Sequence, residues 1–184
     1  MRIIAGKFKS RTIITPSGSA TRPTTDRARE SLFNVLNNLI SFEDSNVLDL
    51  FAGSGALGFE AISRGAKSAT FVERDRKAIV AIKANSSALH VEDNVEIVAA
   101  DVYTYLAKKS QSKFDIIIAD APYDDARAND QLAMLIINGA LLAPDGICAI
   151  EHRTGDRVVL PAGTEIIREL KAGEASFTIF HSKV

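Results

Sequence analysis

From Asn46 onward the chain alternates short apolar runs with longer stretches of helical composition. The runs at residues 47–51, 69–73, 95–99, 114–120 and 146–151 have the length of buried strands, and residues 75–89 and 129–142 between them suit helices. Such alternation predicts repeated βαβ units and an α/β fold with a doubly wound, mostly parallel sheet. Two further β-type runs, 165–170 and 176–182, are separated only by residues 171–174 and predict a closing antiparallel hairpin, for seven strands in all. Upstream, Ile3-Ile4 and residues 12–14 flank a Gly6-Lys7 turn and predict a small hairpin, which is followed by the loop-forming Pro16, Ser17 and Gly18. After Pro23 an apolar stripe of Ala28, Leu32, Val35, Leu36, Leu39 and Ile40 predicts a helix that docks this arm onto the body, with Arg27, Arg29, Glu30 and Asn34 on its other faces. The expected organisation is one domain over 1–184. It comprises a hairpin-and-helix extension over 1–40 and a cofactor-binding, catalytic core over 41–184.

Composition supports a compact globular chain: 184 residues, 46% hydrophobic and 24% charged. The net charge of -1 excludes a general polycation, but the charge is unevenly spread. Residues 1–31 hold seven basic side chains against two acidic ones, +5, leaving -6 for the remainder. A basic arm on an acidic body places any polyanion contact on the arm, with Lys7, Lys9, Arg11, Arg22 and Arg27 as candidate phosphate ligands. The single cysteine, Cys148, lies in an apolar run and reads as a buried, inert thiol, in keeping with a reducing cytoplasm. Three scattered histidines give no metal-binding cluster, and no apolar run is long enough to span a bilayer. No metal and no membrane are expected, and the protein is expected to be a monomer.

The strongest local signal is NVLDLFAGSGALG at 46–58, a strand that enters a turn with Gly53, Gly55 and Gly58 and then a helix. Glycines there let the backbone approach a ligand at the switch point of an open sheet. Glu73 ends the next strand 20 positions after Gly53, where a carboxylate can accept ribose hydroxyls. A glycine turn can also serve only to pack helix on strand. Asp49 separates the cofactor classes: a carboxylate beside the loop repels a pyrophosphate but tolerates a sulfonium and an ammonium, which favours S-adenosylmethionine over a nicotinamide dinucleotide. Phe51 is counted with the cofactor-binding residues. Asp101, at the end of the third run, can accept the adenine amino hydrogens, and it equally suits a helix N-cap before Val102.

The fourth run ends in Asp120-Ala121-Pro122-Tyr123, at the carboxyl edge beside the glycine loop. An exocyclic amine of a nucleobase is a poor nucleophile, because its lone pair is delocalised into the ring. Acceptors on its hydrogens, the Asp120 carboxylate and the Ala121 carbonyl, would turn that lone pair toward a methyl carbon. Tyr123 offers a face on which a splayed-out base can stack, and a turn with a helix cap and a packing tyrosine is the bland alternative.

Together these motifs resemble the class I S-adenosylmethionine-dependent methyltransferases, and more closely the RsmD-type bacterial enzymes that methylate the exocyclic N2 of a guanine in 16S ribosomal RNA. The resemblance rests on MRIIAGK at 1–7, TRPTTDR at 21–27, ESLFN at 30–34, DLFAGSGALG at 49–58, SRGA at 63–66, FVERD at 71–75 and Glu151-His152. The arm motifs are the specific ones. The resemblance implies a Rossmann-like fold, S-adenosylmethionine as methyl donor, Asp120 to Tyr123 around the target amine, and small-subunit ribosomal RNA, free or in an assembly particle, as partner. Two departures stand out. Ala121 replaces the first proline of the family's Asp-Pro-Pro-Tyr and loosens the loop, and Gly173-Glu-Ala-Ser176 replaces a pattern closer to Gly-Asp-Thr. An adenine-N6 methyltransferase on DNA or RNA, and an RNA-binding assembly module with a weakened centre, are the alternatives.

Overall fold

A computed structural model of the protein describes residues 1–16, 25–108, 112–125 and 127–182. The chain runs α1 (Asp26–Leu39), β1 (Asn46–Leu50), α2 (Ala56–Ser63), β2 (Ser68–Glu73), α3 (Arg76–Leu89), β3 (Val95–Ala99), α4 (Val102–Leu106), β4 (Phe114–Ala119), α5 (Arg127–Asn138), β5 (Leu142–Arg153), β6 (Thr164–Ala172) and β7 (Ala175–Ser182). One seven-stranded sheet has the order β3-β2-β1-β4-β5-β7-β6. The first five of these strands are parallel, and β7 enters antiparallel between β5 and β6. The doubly wound sheet and its closing hairpin agree with the reading of the apolar runs. Among the described residues, no helix is long and apolar enough to cross a membrane.

Helices cover both faces, so the central strands bury both sides and read as continuous apolar runs. One core joins Val47 and Phe71 to Leu32, Phe33, Phe59 and Ile82 of α1, α2 and α3. The other joins Leu48, Leu50 and Ile117 to Val102, Leu132 and Ile136 of α4 and α5. Register aligns the carboxyl ends: Leu50 sits opposite Val72 and Ala119, and Ala119 opposite Ile150. The residues that follow β1, β2 and β4, and Glu151 within β5, therefore emerge at one edge of the sheet.

β5 begins at Leu142, four residues before the expected Gly146, and the register breaks between Phe114 and Ile116. Pro144 and the left-handed Asp145 hide that first stretch from an apolar-run reading. Helix α1 starts at Thr25, whose hydroxyl accepts the Ala28 N–H at 3.1 Å. Of its apolar stripe Ala28, Leu32 and Leu36 are buried, Val35 and Ile40 are half-buried and Leu39, at the end of the helix, is exposed; Arg29 is not on an outer face but is 1% exposed.

The N-terminal stretches meet in a single antiparallel bridge, Arg2 to Thr12, and their turn is pressed onto α2. Gly6 has φ +80°, and a Cβ there would lie 1.8 Å from the Ser63 carbonyl oxygen, so no other residue fits. The fully buried Glu60 accepts the Ile4 N–H at 2.7 Å and the Ala5 N–H at 3.0 Å, which ties the arm to α2 through charge-assisted bonds.

Candidate active site

The aligned strand ends open onto a cavity of about 720 Å³. Phe51, Gly53 and Ser54 form its floor, Glu73 and Asp101 stand on the β2 and β3 side, and Asp120 to Asp124 follow β4. The arm contributes Met1, Thr15 and Pro16, α1 contributes Arg29, and β5 contributes Glu151 and Arg153.

The glycine loop divides by function. Gly53 has φ +55°, and a Cβ added there would find, among the described residues other than its two chain neighbours, no atom nearer than the Phe51 carbonyl oxygen at 3.9 Å, so the loop keeps open space on a cavity wall. Gly58 lies away from the cavity. A Cβ there would stand 2.3 Å from the Phe71 ring and 3.2 Å from Asp49 Oδ2, so this glycine lets α2 pack on the sheet. Gly55 combines φ +79° with a 2.6 Å approach to Phe59. Gly58→Ala is expected to cost about 1–3 kcal/mol of stability through overpacking. Gly53→Ala is expected to cost about 1 kcal/mol through its left-handed backbone, and to weaken ligand binding more than folding. Denaturation and calorimetry on the two variants check this split, and equal losses of binding would contradict it.

Phe51, which follows β1, holds φ +60°, a strained conformation for an aromatic residue, and its ring meets Tyr103 edge-on at 6.0 Å. Glu73 is held by the backbone it caps. Its Oε2 accepts the Gly53 N–H, and its Oε1 accepts the N–H groups of Arg74 and Asp75, each at 2.8 Å. These bonds fix the carboxylate beside the loop and leave lone pairs for ligand hydroxyls. Asp101 does cap α4, accepting the Thr104 N–H at 3.1 Å, while its Oδ2 meets Arg74 at 3.3 Å on the cavity wall. The cap and a ligand contact are therefore compatible.

Asp49 does not line the cavity. It is 1% exposed beneath the loop, its Oδ2 accepts the Gly58 N–H at 2.9 Å, and its Oδ1 has no partner among the described residues. Burial pushes its pKa well above the usual carboxylate range, opposed by the Gly58 N–H and reinforced by Asp120 and Glu73. A carboxyl raised on folding stabilises fully below its unfolded pKa of about 3.9, and that stability is lost as pH rises toward the folded value. Asp49→Asn should therefore gain stability relative to the wild type as pH rises from about 4 toward neutrality. Denaturation midpoints across that range test it, and a difference that stays constant with pH refutes it.

Tyr123 is 44% exposed, so a ligand can reach its ring. Its hydroxyl donates to Glu151 Oε1 at 2.8 Å, and the Arg153 guanidinium lies 5.4 Å from the ring centroid. Desolvation, and then the Glu151 charge and hydrogen bond, raise the phenol pKa, so Tyr123 stays neutral. Ala121 is buried, and the turn closes with Asp125 N–H donating to the Pro122 carbonyl at 2.9 Å.

Of the arm cations, Lys7, Lys9, Arg11 and Arg27 are exposed, whereas Arg22 lies outside the described residues. The sequence reading did not assign Glu151, Arg29 or Asn85 to the site. Asn85, buried on α3, accepts the Ile14 N–H and donates to the carbonyls of Ile14 and Ser54 at 2.7–3.0 Å, which locks the arm to the glycine loop. Glu151 alone had left a signal, as part of the Glu151-His152 motif.

The fold and this cavity define a class I, S-adenosylmethionine-type methyltransferase architecture. Residues 1–181 match the family described as Conserved hypothetical protein 95, and the chain belongs to that family, the RsmD-type methyltransferases. It is 34% identical over 181 residues to the Ribosomal RNA small subunit methyltransferase D of Escherichia coli K12, covering 98% of this chain and 89% of that one. The protein of the same name from Haemophilus influenzae is 32% identical over 184 residues, covering 99% and 94%. The solved structure of yhhF, a proposed methyltransferase from Escherichia coli, superposes with a TM-score of 0.85 at 32% identity, covering 100% and 98%.

Proposed function

We propose that the protein transfers a methyl group from S-adenosylmethionine to the exocyclic N2 of a guanine in small-subunit ribosomal RNA. The observation that carries this reading is the meeting, on one cavity, of Gly53, Glu73 and Asp101 with Asp120 to Tyr123. Open space at Gly53, two carboxylates on the wall and a buried arginine with unmet donors suit a ligand that combines ribose hydroxyls with a charged amino-acid end.

The bound donor supplies an electrophilic sulfonium methyl. Asp120 and the Ala121 carbonyl accept the hydrogens of the target amine and turn its lone pair toward that carbon. Tyr123, held by Glu151, stacks the splayed base. A nitrogen–carbon bond forms as the sulfur–carbon bond breaks, and the amine then loses a proton to Asp120 or water. The small-subunit assembly particle is the proposed physiological substrate, with the protein acting as a cytoplasmic monomer.

Labelled methyl transfer to small-subunit particles that lack the modification, followed by nucleoside analysis, tests the reading. N2-methylguanine is the expected product. N6-methyladenine would assign the adenine alternative, and donor binding without turnover would assign the assembly module. Exposed Lys7, Lys9, Arg11 and Arg27 are proposed to hold RNA phosphates. Each charge removed should lower the log–log salt slope of RNA binding by about 0.7–0.9 without changing donor affinity. An unaltered slope in all four variants would move the RNA surface elsewhere.

A further inference from the structure

Among the described residues Arg29 is the largest fully buried side chain, and most of its hydrogen-bonding capacity is unmet by them. Its Nη2 donates to the Arg2 carbonyl at 2.6 Å and to Asp26 Oδ1 at 3.0 Å. A guanidinium has five N–H donors. The other three, on Nε and Nη1, are buried and meet no acceptor among the described residues. Unmet donors on a buried charged group are costly, and native structures retain them where something else supplies the acceptor. Asp26, 52% exposed, offsets the charge but does not reach those nitrogens.

Arg29 also borders the cavity, together with Met1, Thr15 and Ser54. The other charged residues on the wall are mostly acidic: Glu73, Asp75, Asp101, Asp120, Asp124 and Glu151. Of the other cationic side chains described there, Arg74 is largely exposed and pairs with Asp101, and Arg153 lies against Tyr123. An anionic group entering this cavity is repelled by most of its wall. Among the described cationic side chains that line the cavity, Arg29 alone is both buried and short of acceptors.

We infer that Arg29 is the binding residue for the α-carboxylate at the amino-acid end of the methyl donor. This rests on the reading of the cavity as the methyl-donor site. With the nucleoside held by Glu73 and Asp101 and the methyl group facing Asp120, the donor's one anionic group belongs at the wall that carries an unmet cation. An RNA phosphate suits Arg29 less well, because a side chain 1% exposed beneath the arm is closed to a bulky backbone, whereas Lys7, Lys9, Arg11 and Arg27 are open to it. Arg29 thereby couples the arm to the donor: the same guanidinium holds the Arg2 carbonyl with one nitrogen and offers the others to the ligand.

The test compares S-adenosylmethionine with its decarboxylated analogue, which differs only in lacking that carboxylate, by calorimetry on the full chain. The wild type should prefer S-adenosylmethionine by about ten- to a hundredfold, the range of a charge-assisted hydrogen bond. Arg29→Met should bring the ratio close to one while leaving the analogue's affinity largely intact. Because that variant removes a buried side chain, nitrogen-detected NMR of the wild-type arginine side chains supplies a readout that needs no mutation. The Arg29 Nε–H should shift and exchange more slowly with S-adenosylmethionine, but not with the analogue. Equal affinities in the wild type, a preference that survives in folded Arg29→Met, or an unmoved Nε–H signal overturns the assignment. So does a loss confined to RNA binding. Failure of both ligands to bind overturns the methyl-donor reading itself.

Discussion

Asp120→Ala is expected to lower methyl transfer by about 10²–10³-fold, the loss seen when one preorganised polar group is removed from a developing charge, while donor affinity stays at the wild-type value. Asp120 lies at the end of β4 on the cavity wall, one residue past the point where Ala119 pairs with Leu50 and Ile150. The alignment of three strand ends, and not a mobile loop, sets its position. A carboxylate there acts on the incoming amine, so its removal should appear in single-turnover rates on small-subunit particles and not in calorimetry with the donor alone. Asp120→Asn, which keeps an acceptor oxygen without the charge, should retain more activity than the alanine variant. Wild-type rates in Asp120→Ala would remove the residue from the reaction.

The largest expected effect on stability comes from Glu60→Ala. Glu60 is fully buried, and its two oxygens accept the N–H groups of Ile4 and Ala5 and the Nε–H of Arg64, the last at 2.8 Å. Truncation leaves two main-chain donors and a nearly buried guanidinium without their acceptor, a situation that costs about 3–5 kcal/mol. The arm should also detach from α2, because Ile4 and Ala5 precede the Gly6 turn that rests on Ser63. Urea denaturation reads the first effect, and limited proteolysis within residues 1–16 the second. A loss below about 1 kcal/mol, the level of an exposed ion pair, would show that apolar contacts of Ile3, Phe8 and Ile13 seat the arm without Glu60.

Much of this architecture is written locally in the chain. In a parallel sheet covered on both faces a strand is a short apolar run wherever it lies, so β1 to β4 and the closing hairpin are legible without knowledge of their neighbours. The carboxylates Glu73, Asp101 and Asp120 sit at or just past the ends of such runs, and parallel winding brings all those ends to one edge. Their shared cavity therefore follows from order along the chain. Other features depend on what packs against what. Asp49 and Glu73 both end near a strand terminus. Asp49, however, falls on the same face as Val47, where α2 descends onto the sheet, and it is buried under Gly58 and does not face the cavity. Glu60, Asn85, Arg29 and Glu151 are polar residues whose burial is decided by a distant partner: the arm for Glu60, the arm and the glycine loop for Asn85, the Arg2 carbonyl for Arg29 and the Tyr123 hydroxyl for Glu151. Sequence alone determined the strands, their shared edge and the carboxylates along it. Only the tertiary structure decided which polar groups turn inward, because hydrophobic periodicity reports the burial of apolar side chains, whereas a polar side chain is buried only where long-range packing supplies its hydrogen-bond partners.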